Sequence, residues 1–506
     1  MNKTLIINIL AITATIAPAI TAATSAHAGD YARYYTALPE DVKTLQEPQA
    51  PQIPDNTVSI ADFGAIGDGI TLNTEAFAEA VKAIGKLGGG HIVVPAGVWL
   101  TGPITLKDNT DLHVERNAIL LFTPDKTAYL QDGSVRPCIG ASKRHDISIT
   151  GEGIIDGNGE WWRAVKRGKV SDTEWNDFKR MGGTEADGGK LWYPFNLKTQ
   201  KNIAPDPKTQ EKMRTHMIRL TDCERVLIKG VTVQNSPKFH IVPTRCRQVI
   251  IDGTTVRCPW NAQNGDGIDL MYCQDVLIVN NTVDVGDDGI CLKAGGGEKA
   301  LQYPPVARVL ITGNTVFHAH GGFVIGSEFS AGIEDIVVRG NSFSGTDTGL
   351  RFKSAPGRGG KTSRIRISDI YMSDIRDQAI VFETSYVNVP VGENGSAEKT
   401  QAFLPEFTDI AISNVVCRDA RIGIAAQGTA QMIHDISISD CTISCTEKIA
   451  DLSGIEAFGE GTIKLTNVNL QENCNNDPSA TLLLGPRAEP REIVGGKHRF
   501  EVKTTL

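Results

Sequence analysis

An all-β fold, a parallel β-helix, is what this sequence predicts, and three observations predict it. A short apolar phrase recurs at a near-regular interval, asparagine and glycine recur at matching places after the phrases, and glycine is abundant (51 residues) while aromatic residues are scarce (6%). The phrase reads apolar, any residue, apolar. It occurs at Ile147-Ser-Ile149, Val226-Leu-Ile228, Val249-Ile-Ile251, Val276-Leu-Ile278, Val309-Leu-Ile311, Ile336-Val-Val338, Ile365-Arg-Ile367, Ile410-Ala-Ile412, Ile436-Ser-Ile438 and Ile463-Lys-Leu465. From Val226 onward the steps are 23, 27, 33, 27, 29, 45, 26 and 27 residues, the range of a solenoid repeat. Each phrase is too short for a helix and is rich in β-branched residues, so each is a strand, with Asn280-Asn281, Gly313-Asn314, Gly340-Asn341 and Asn414 marking equivalent turns.

Met1 to Ala28 places Lys3 before an apolar run from Leu5 to Ile20 and ends on Ser25-Ala26-His27-Ala28, the pattern of a secretory signal cleaved before Gly29. Export to the periplasm or beyond is expected, and no later apolar run is long enough to span a membrane. Residues 29–57 read as an N-terminal extension, 58–470 as the β-helix and 471–506 as a tail. Thr74 to Leu87 reads as a short amphipathic helix, with Phe77, Val81 and Ile84 on one side and Gly88-Gly89-Gly90 at its end. Such a helix caps the open end of a solenoid, which otherwise exposes strand edges. Residues 156–215 interrupt the repeat with a polar insertion carrying Trp161, Trp162, Trp175 and Trp192, either a surface loop or a wall of a cleft. The long steps put further loops at Ala294 to Pro305 and Asn388 to Phe407. The ten cysteines, spread from Cys138 onward without a close C-x-x-C pair, read as buried apolar residues, Cys441 and Cys445 on one strand face. A net charge of −8 argues against a general nucleic-acid binder but leaves room for an acidic ligand in a locally basic cleft.

Four successive repeats carry turn chemistry that the others lack. Asn264-Gly265-Asp266-Gly267-Ile268-Asp269 opens one coil, Gly286-Asp287-Asp288-Gly289 follows about one coil later, and then come His320-Gly321-Gly322 and Arg351-Phe352-Lys353. One-coil spacing puts Asp266 beside Asp287 and Asp288 on adjacent turns of the stack. Like charges that close resist joint ionisation, so one carboxyl keeps its proton while others stay ionised. That division supplies an acid for a glycosidic oxygen and a base for water. His320 is placed to tune the acid, and Arg351 with Lys353, two apart on one strand face, to hold an anionic sugar carboxylate. Asp269 and Asp275 read as turn-formers, His318 as a surface histidine and Arg358 as a loop charge near the cleft.

At these residues the chain resembles glycoside hydrolase family 28, the polygalacturonases and their relatives. Asn264-Gly265-Asp266, Gly286-Asp287-Asp288, His320-Gly321 and Arg351-Phe352-Lys353 are similar to four elements of that family, and Tyr386 to a later tyrosine. The resemblance runs from about Val58, where Ala61-Asp62-Phe63-Gly64-Ala65 resembles the family's opening, to about Thr466. It implies a right-handed, pectin-lyase-like β-helix and inverting hydrolysis of α-1,4-linked galacturonic acid. It further implies that Asp287 is the acid, that Asp266 and Asp288 activate water, that Asn264, Arg351, Lys353 and Tyr386 bind substrate, and that no metal or other cofactor is required. Gly289, where many members have cysteine, Gly322, and Gly357-Arg358-Gly359-Gly360 look more like bacterial exo-acting members.

The expected partner is a galacturonan of pectin, bound by a monomer. A rhamnogalacturonan or xylogalacturonan hydrolase on the same fold is the nearest alternative, disfavoured because Arg351, Lys353 and Tyr386 are all present. A pectate lyase calls for a calcium-binding carboxylate set and a basic residue for proton abstraction. A noncatalytic adhesin or carbohydrate-binding β-helix accounts for the repeats but not for three clustered aspartates.

Overall fold

The computed structural model describes residues 30–194, 204, 206–386, 402–455, 458–459 and 461–472. The signal expected at Met1 to Ala28 lies outside these residues. So do most of the tail expected at 471–506 and the stretch 388–401 of the loop expected at Asn388 to Phe407.

Twenty-nine described strands join one sheet whose pairings are all parallel, wound as a right-handed β-helix with three strand ladders. The first ladder holds the recurring phrases, running from Thr57–Ser59 through Arg247–Asp252 and Gln274–Val279 to Ile463–Glu472. In it Val249 pairs with Val276 and Val276 with Val309, while Ile251 pairs with Ile278 and Ile278 with Ile311. These side chains point inward and are buried in one core that runs the length of the solenoid. The second ladder is built from short strands such as Thr255–Arg257 and Thr282–Asp284. The third includes Ile241–Thr244, Ile268–Met271, Asp288–Lys293, Gly321–Ile325 and Leu350–Lys353, and it carries the candidate site.

The turn asparagines do more than bend the chain. Asn281, Asn314 and Asn341 stack on successive coils, and the side-chain oxygen of each accepts the backbone N–H of the residue one coil below, at 2.9 Å in each case. The amides donate in turn to Ile251, Ile278 and Ile311 carbonyls at 3.0 Å, so the buried ladder is satisfied. Asp275 behaves as the turn-former expected of it, with φ 58° and its carboxylate on Arg308 of the next coil.

The capping helix spans Thr74–Lys86 and buries Phe77, Ala80, Val81 and Ile84 against the first coil. Gly89 and Gly90 end it at φ 119° and 143°, where a Cβ would strike Asn109 and Asn56 backbone within 2.4 Å. Cys138, Cys223, Cys246, Cys273, Cys291, Cys417 and Cys441 are buried free thiols, and Cys445 is buried beside them.

Repeat logic alone predicts outward-facing middle residues in the first ladder to be polar. Ser148, Arg366 and Lys464 obey it, but Leu227, Ile250, Leu277, Leu310 and Val337 occupy the same column and are buried. Tyr31, Val42 and Leu45 of the N-terminal extension lie over them. Arg339 pins this cover by donating to the carbonyls of Tyr34, Thr36 and Ala37.

The insertion folds into its own small unit. Strands Val165–Lys166 and Thr184–Ala186 pair antiparallel with Leu191–Tyr193, and the helix Asp172–Arg180 starts on a capping box between Ser171 and Glu174. Trp162 is fully buried edge-on to Tyr129 in the main core, while Trp192 packs on Phe178.

Candidate active site

The third ladder assembles the site by register. Ile268, Ile290, Phe323 and Leu350 stack inward, so the neighbours Asp269, Cys291, Val324 and Arg351 form one outward column. Gly267 N–H donates to the carbonyl of Asp288, which sets Asp266 beside the Asp287-Asp288 pair, as one-coil spacing predicts. The Asp266 carbonyl is itself held by His240, whose backbone N lies at 3.0 Å and whose Nδ1 at 2.8 Å. Gly289 and Gly322 belong to the inside of the same turns. A Cβ on Gly322 would lie 2.4 Å from the Phe343 ring and one on Gly289 2.7 Å from Val316, so bulk on the neighbouring strands fills the space their side chains would need.

Two lysines compensate the carboxylates. Lys353 Nζ donates to both oxygens of Asp288, at 3.0 and 2.7 Å, and Arg351 Nη1 stands 3.6 Å from the same group. Lys293 Nζ donates to Asp266 Oδ2 at 3.0 Å and to Asp269 Oδ1. Asp269 is therefore not a turn-former: it is a fully buried strand residue, and its carboxylate stays in the interior because Lys293 neutralises it. Among the described residues, one oxygen each of Asp266 and Asp269 has no hydrogen-bond partner.

This environment separates the carboxyls. Burial pushes Asp266 well above the usual range, and the charges of Asp269, Asp287 and Asp288 add to that against Lys293. Burial likewise takes Asp269 to about 6. For Asp287 burial is outweighed by the hydrogen bond from His320 and the charges of Lys353 and Lys293, and the carboxyl is held low. For Asp288 burial is outweighed by the cations, Lys353 foremost, so it too is lowered. Of these three carboxyls, Asp266 is the one whose surroundings most favour the protonated form. Asp287 is nonetheless the most open of the three, its side chain 19% exposed against 3% for each of the others.

His320 Nδ1 lies 3.1 Å from Asp287 Oδ1, and its other nitrogen faces Lys169 and Asp347. Tyr386 spreads its ring against Arg351, Lys353 and Arg358, with the cations 5.0–5.6 Å from the centroid. Arg358 is thus a cleft residue whose guanidinium also holds the Tyr386 carbonyl. Asn264, in a left-handed turn at φ 50°, accepts from the buried Arg214, which ties the loop to the helix Pro207–Met213 of the insertion. His318, two residues before His320, is half-exposed on Asp284 and outside the cluster. The repeat reading missed Lys169, Lys293 and Asp347. Lys293 carried a signal, since it ends its strand in the same column as Lys353.

The chain matches the family model of glycosyl hydrolases family 28 over residues 169–474, more than half of its length. The chain belongs to that family. This family 28 chain is 30% identical over 384 residues to an exo-poly-α-D-galacturonosidase of Dickeya chrysanthemi, an alignment covering 72% of this chain and 62% of that relative. Among solved structures, a hyperthermoactive exopolygalacturonase from Thermotoga maritima superposes with a TM-score of 0.69 at 27% identity, over 87% of this chain and 96% of its own. The family 28 exopolygalacturonase of Yersinia enterocolitica gives 0.60 at 25% identity, over 83% and 78%.

From His320 and Arg351 a cleft of about 850 Å³ continues along the third ladder toward the later coils, past Tyr386 and Glu383 to Gln427 and Ser453. Asp266, Asp287 and Asp288 do not line it, but His320 and Arg351, which stand against Asp287 and Asp288, do. Asp287, Asp288 and His320 each bring one donor atom within 4.8 Å of the others. Both oxygens of Asp288 already accept from Lys353, so a metal ion there would have to displace an ammonium.

Proposed function

We propose that this family 28 chain hydrolyses α-1,4-galacturonosyl linkages of pectin with inversion, acting from a chain end. The observation that carries this reading is the union of three aspartates, Asp266, Asp287 and Asp288, with the cationic face of Arg351, Lys353 and Tyr386, of which Arg351 and Tyr386 line the cleft. A sugar carboxylate is drawn to Arg351, the more open of the two cations, whose guanidinium matches it in shape. Its negative charge raises the proton affinity of Asp287, so a proton is favoured there once substrate is bound. Asp287 protonates the leaving oxygen, while Asp266 and Asp288 take the proton of a water on the opposite side, a geometry that needs carboxyls about 6.5–9.5 Å apart. Asn264 orients the sugar beside them.

Chain-end attack is supported by the insertion, which stands against His320 through Lys169, and by the exo-acting relatives. The catalytic unit is residues 58–470, acting as a monomer, and Met1 to Ala28 directs its export. Incubation with polygalacturonate tests the reading: mono- or digalacturonate is the expected early product. A ladder of mixed oligomers would refute chain-end attack. Cleavage of rhamnogalacturonan or xylogalacturonan in its place would move the substrate, and a 4,5-unsaturated product would replace hydrolysis by elimination.

A further inference from the structure

Asp287 has two oxygens, and only one of them can present a proton to substrate. Oδ1 already receives two contacts, the backbone N–H of Asp288 at 3.0 Å and Nδ1 of His320 at 3.1 Å. If Nδ1 carries a hydrogen, His320 donates to Oδ1 and the transferable proton belongs to Oδ2. If Nδ1 is bare, the ring is an acceptor and draws the proton of the acid onto Oδ1, away from the glycosidic oxygen. The tautomer of His320 thus decides whether Asp287 can work as an acid.

The groups around the ring settle that choice. The side chain of Asp347 reaches Nε2 at 3.7 Å and favours a proton there, with Arg376 in turn 3.9 Å from Asp347. Arg351 touches only the backbone carbonyl of His320, at 3.5 Å. Lys169 Nζ lies closer to Nε2, at 3.1 Å, and also donates to the carbonyl of Gly286, the residue preceding Asp287, at 3.2 Å. An ammonium has donors and no acceptor, so it can face Nε2 favourably only when that nitrogen is unprotonated.

We propose that Lys169, a residue of the insertion, is a positioning residue for the acid: it holds Nε2 of His320 as an acceptor, keeps the ring proton on Nδ1, and leaves Oδ2 of Asp287 to carry the proton. This rests on the reading of Asp287 as the acid. The loop presenting Lys169 is well anchored. Arg167 N–H bonds to the Lys190 carbonyl, the Arg167 guanidinium donates to Val170 and lies over Trp175, and the next turn begins on the Ser171 capping box. The insertion is then part of the acid's machinery.

The test is the ¹⁵N spectrum of histidine-labelled full-length protein at the pH of activity, with the His320 signals assigned by their loss in His320→Gln. Wild type is expected to show an unprotonated Nε2 and a protonated Nδ1. Lys169→Met should move the proton to Nε2, lower kcat by roughly tenfold or more, a part of the 10²–10⁴ that general acid catalysis supplies, and leave KM within about twofold. Lys169→Arg, which keeps a donor, should restore the wild-type spectrum and most of the rate. Unchanged His320 signals in Lys169→Met, or a wild-type ring protonated on Nε2, would overturn the proposal. Because the spectrum needs no substrate, the expected tautomer in a protein that cleaves no pectic polymer would sink the assigned function and leave the contact standing.

Discussion

Two buried polar stacks run along the same coils of this solenoid, and they are built on opposite terms. In the asparagine stack, Asn281, Asn314 and Asn341 are neutral and every amide finds partners one coil away. In the aspartate cluster, Asp266, Asp269, Asp287 and Asp288 crowd like charges together, two oxygens have no partner among the described residues, and Lys293 and Lys353 are taken up in compensation. A satisfied stack makes the coils cohere, whereas an under-satisfied one is retained only where chemistry needs a mobile proton and an open acceptor. The first should govern stability and the second activity.

The largest effect that tests this division is on the acid. Asp287→Asn keeps the shape and the hydrogen bond from Asp288 but cannot deliver a proton, and turnover on polygalacturonate, followed by reducing-end release, should drop by about 10²–10⁴-fold with little change in thermal midpoint. Asn314→Ala should do the reverse. It orphans the buried N–H of Asn281 and costs about 1–3 kcal/mol in denaturant unfolding, with kcat on the folded protein unchanged.

A subtler expectation concerns pH. Asp269 is pushed up to about 6, while an unfolded chain releases that proton near pH 4, so between these values the folded state holds a proton that the unfolded state has lost. Its contribution to stability is whole below about pH 4 and declines as pH rises toward about 6. Calorimetric midpoints of Asp269→Asn should accordingly fall less steeply than wild type across that window. If the wild-type and variant slopes coincide, the raised carboxyl is not there. The smallest effect belongs to His318→Ala, within about ±0.5 kcal/mol and without loss of activity, against His320→Ala as the contrasting variant.

Much of this was legible in the sequence because a solenoid repeats its logic. The phrase from Val276 to Ile278 and the asparagines after it fix coil, ladder and register together, and the register brings Asp266 to Asp287 without further information. What escaped had a common cause, contacts from outside the repeat. Leu227, Ile250 and Leu277 are apolar where a polar residue is expected because Tyr31 and Val42 come back across a long sequence distance to cover them. Lys169 was invisible for the same reason, since the insertion has no repeat register from which its reach to His320 could be inferred. Asp269 was misread because local turn propensity outweighed its place on a strand, and only the pairing with Lys293 explains a carboxylate so deep.

In the proposed reaction Asp287 and the pair Asp266 and Asp288 act on a galacturonosyl bond from its two sides. The most direct measurement is proton NMR of the first minutes of polygalacturonate cleavage, before the released sugar equilibrates. The new reducing end is expected as the β-anomer, the product of a single displacement at an α-linkage. An α-anomer appearing first, or an unsaturated end in its place, would contradict it.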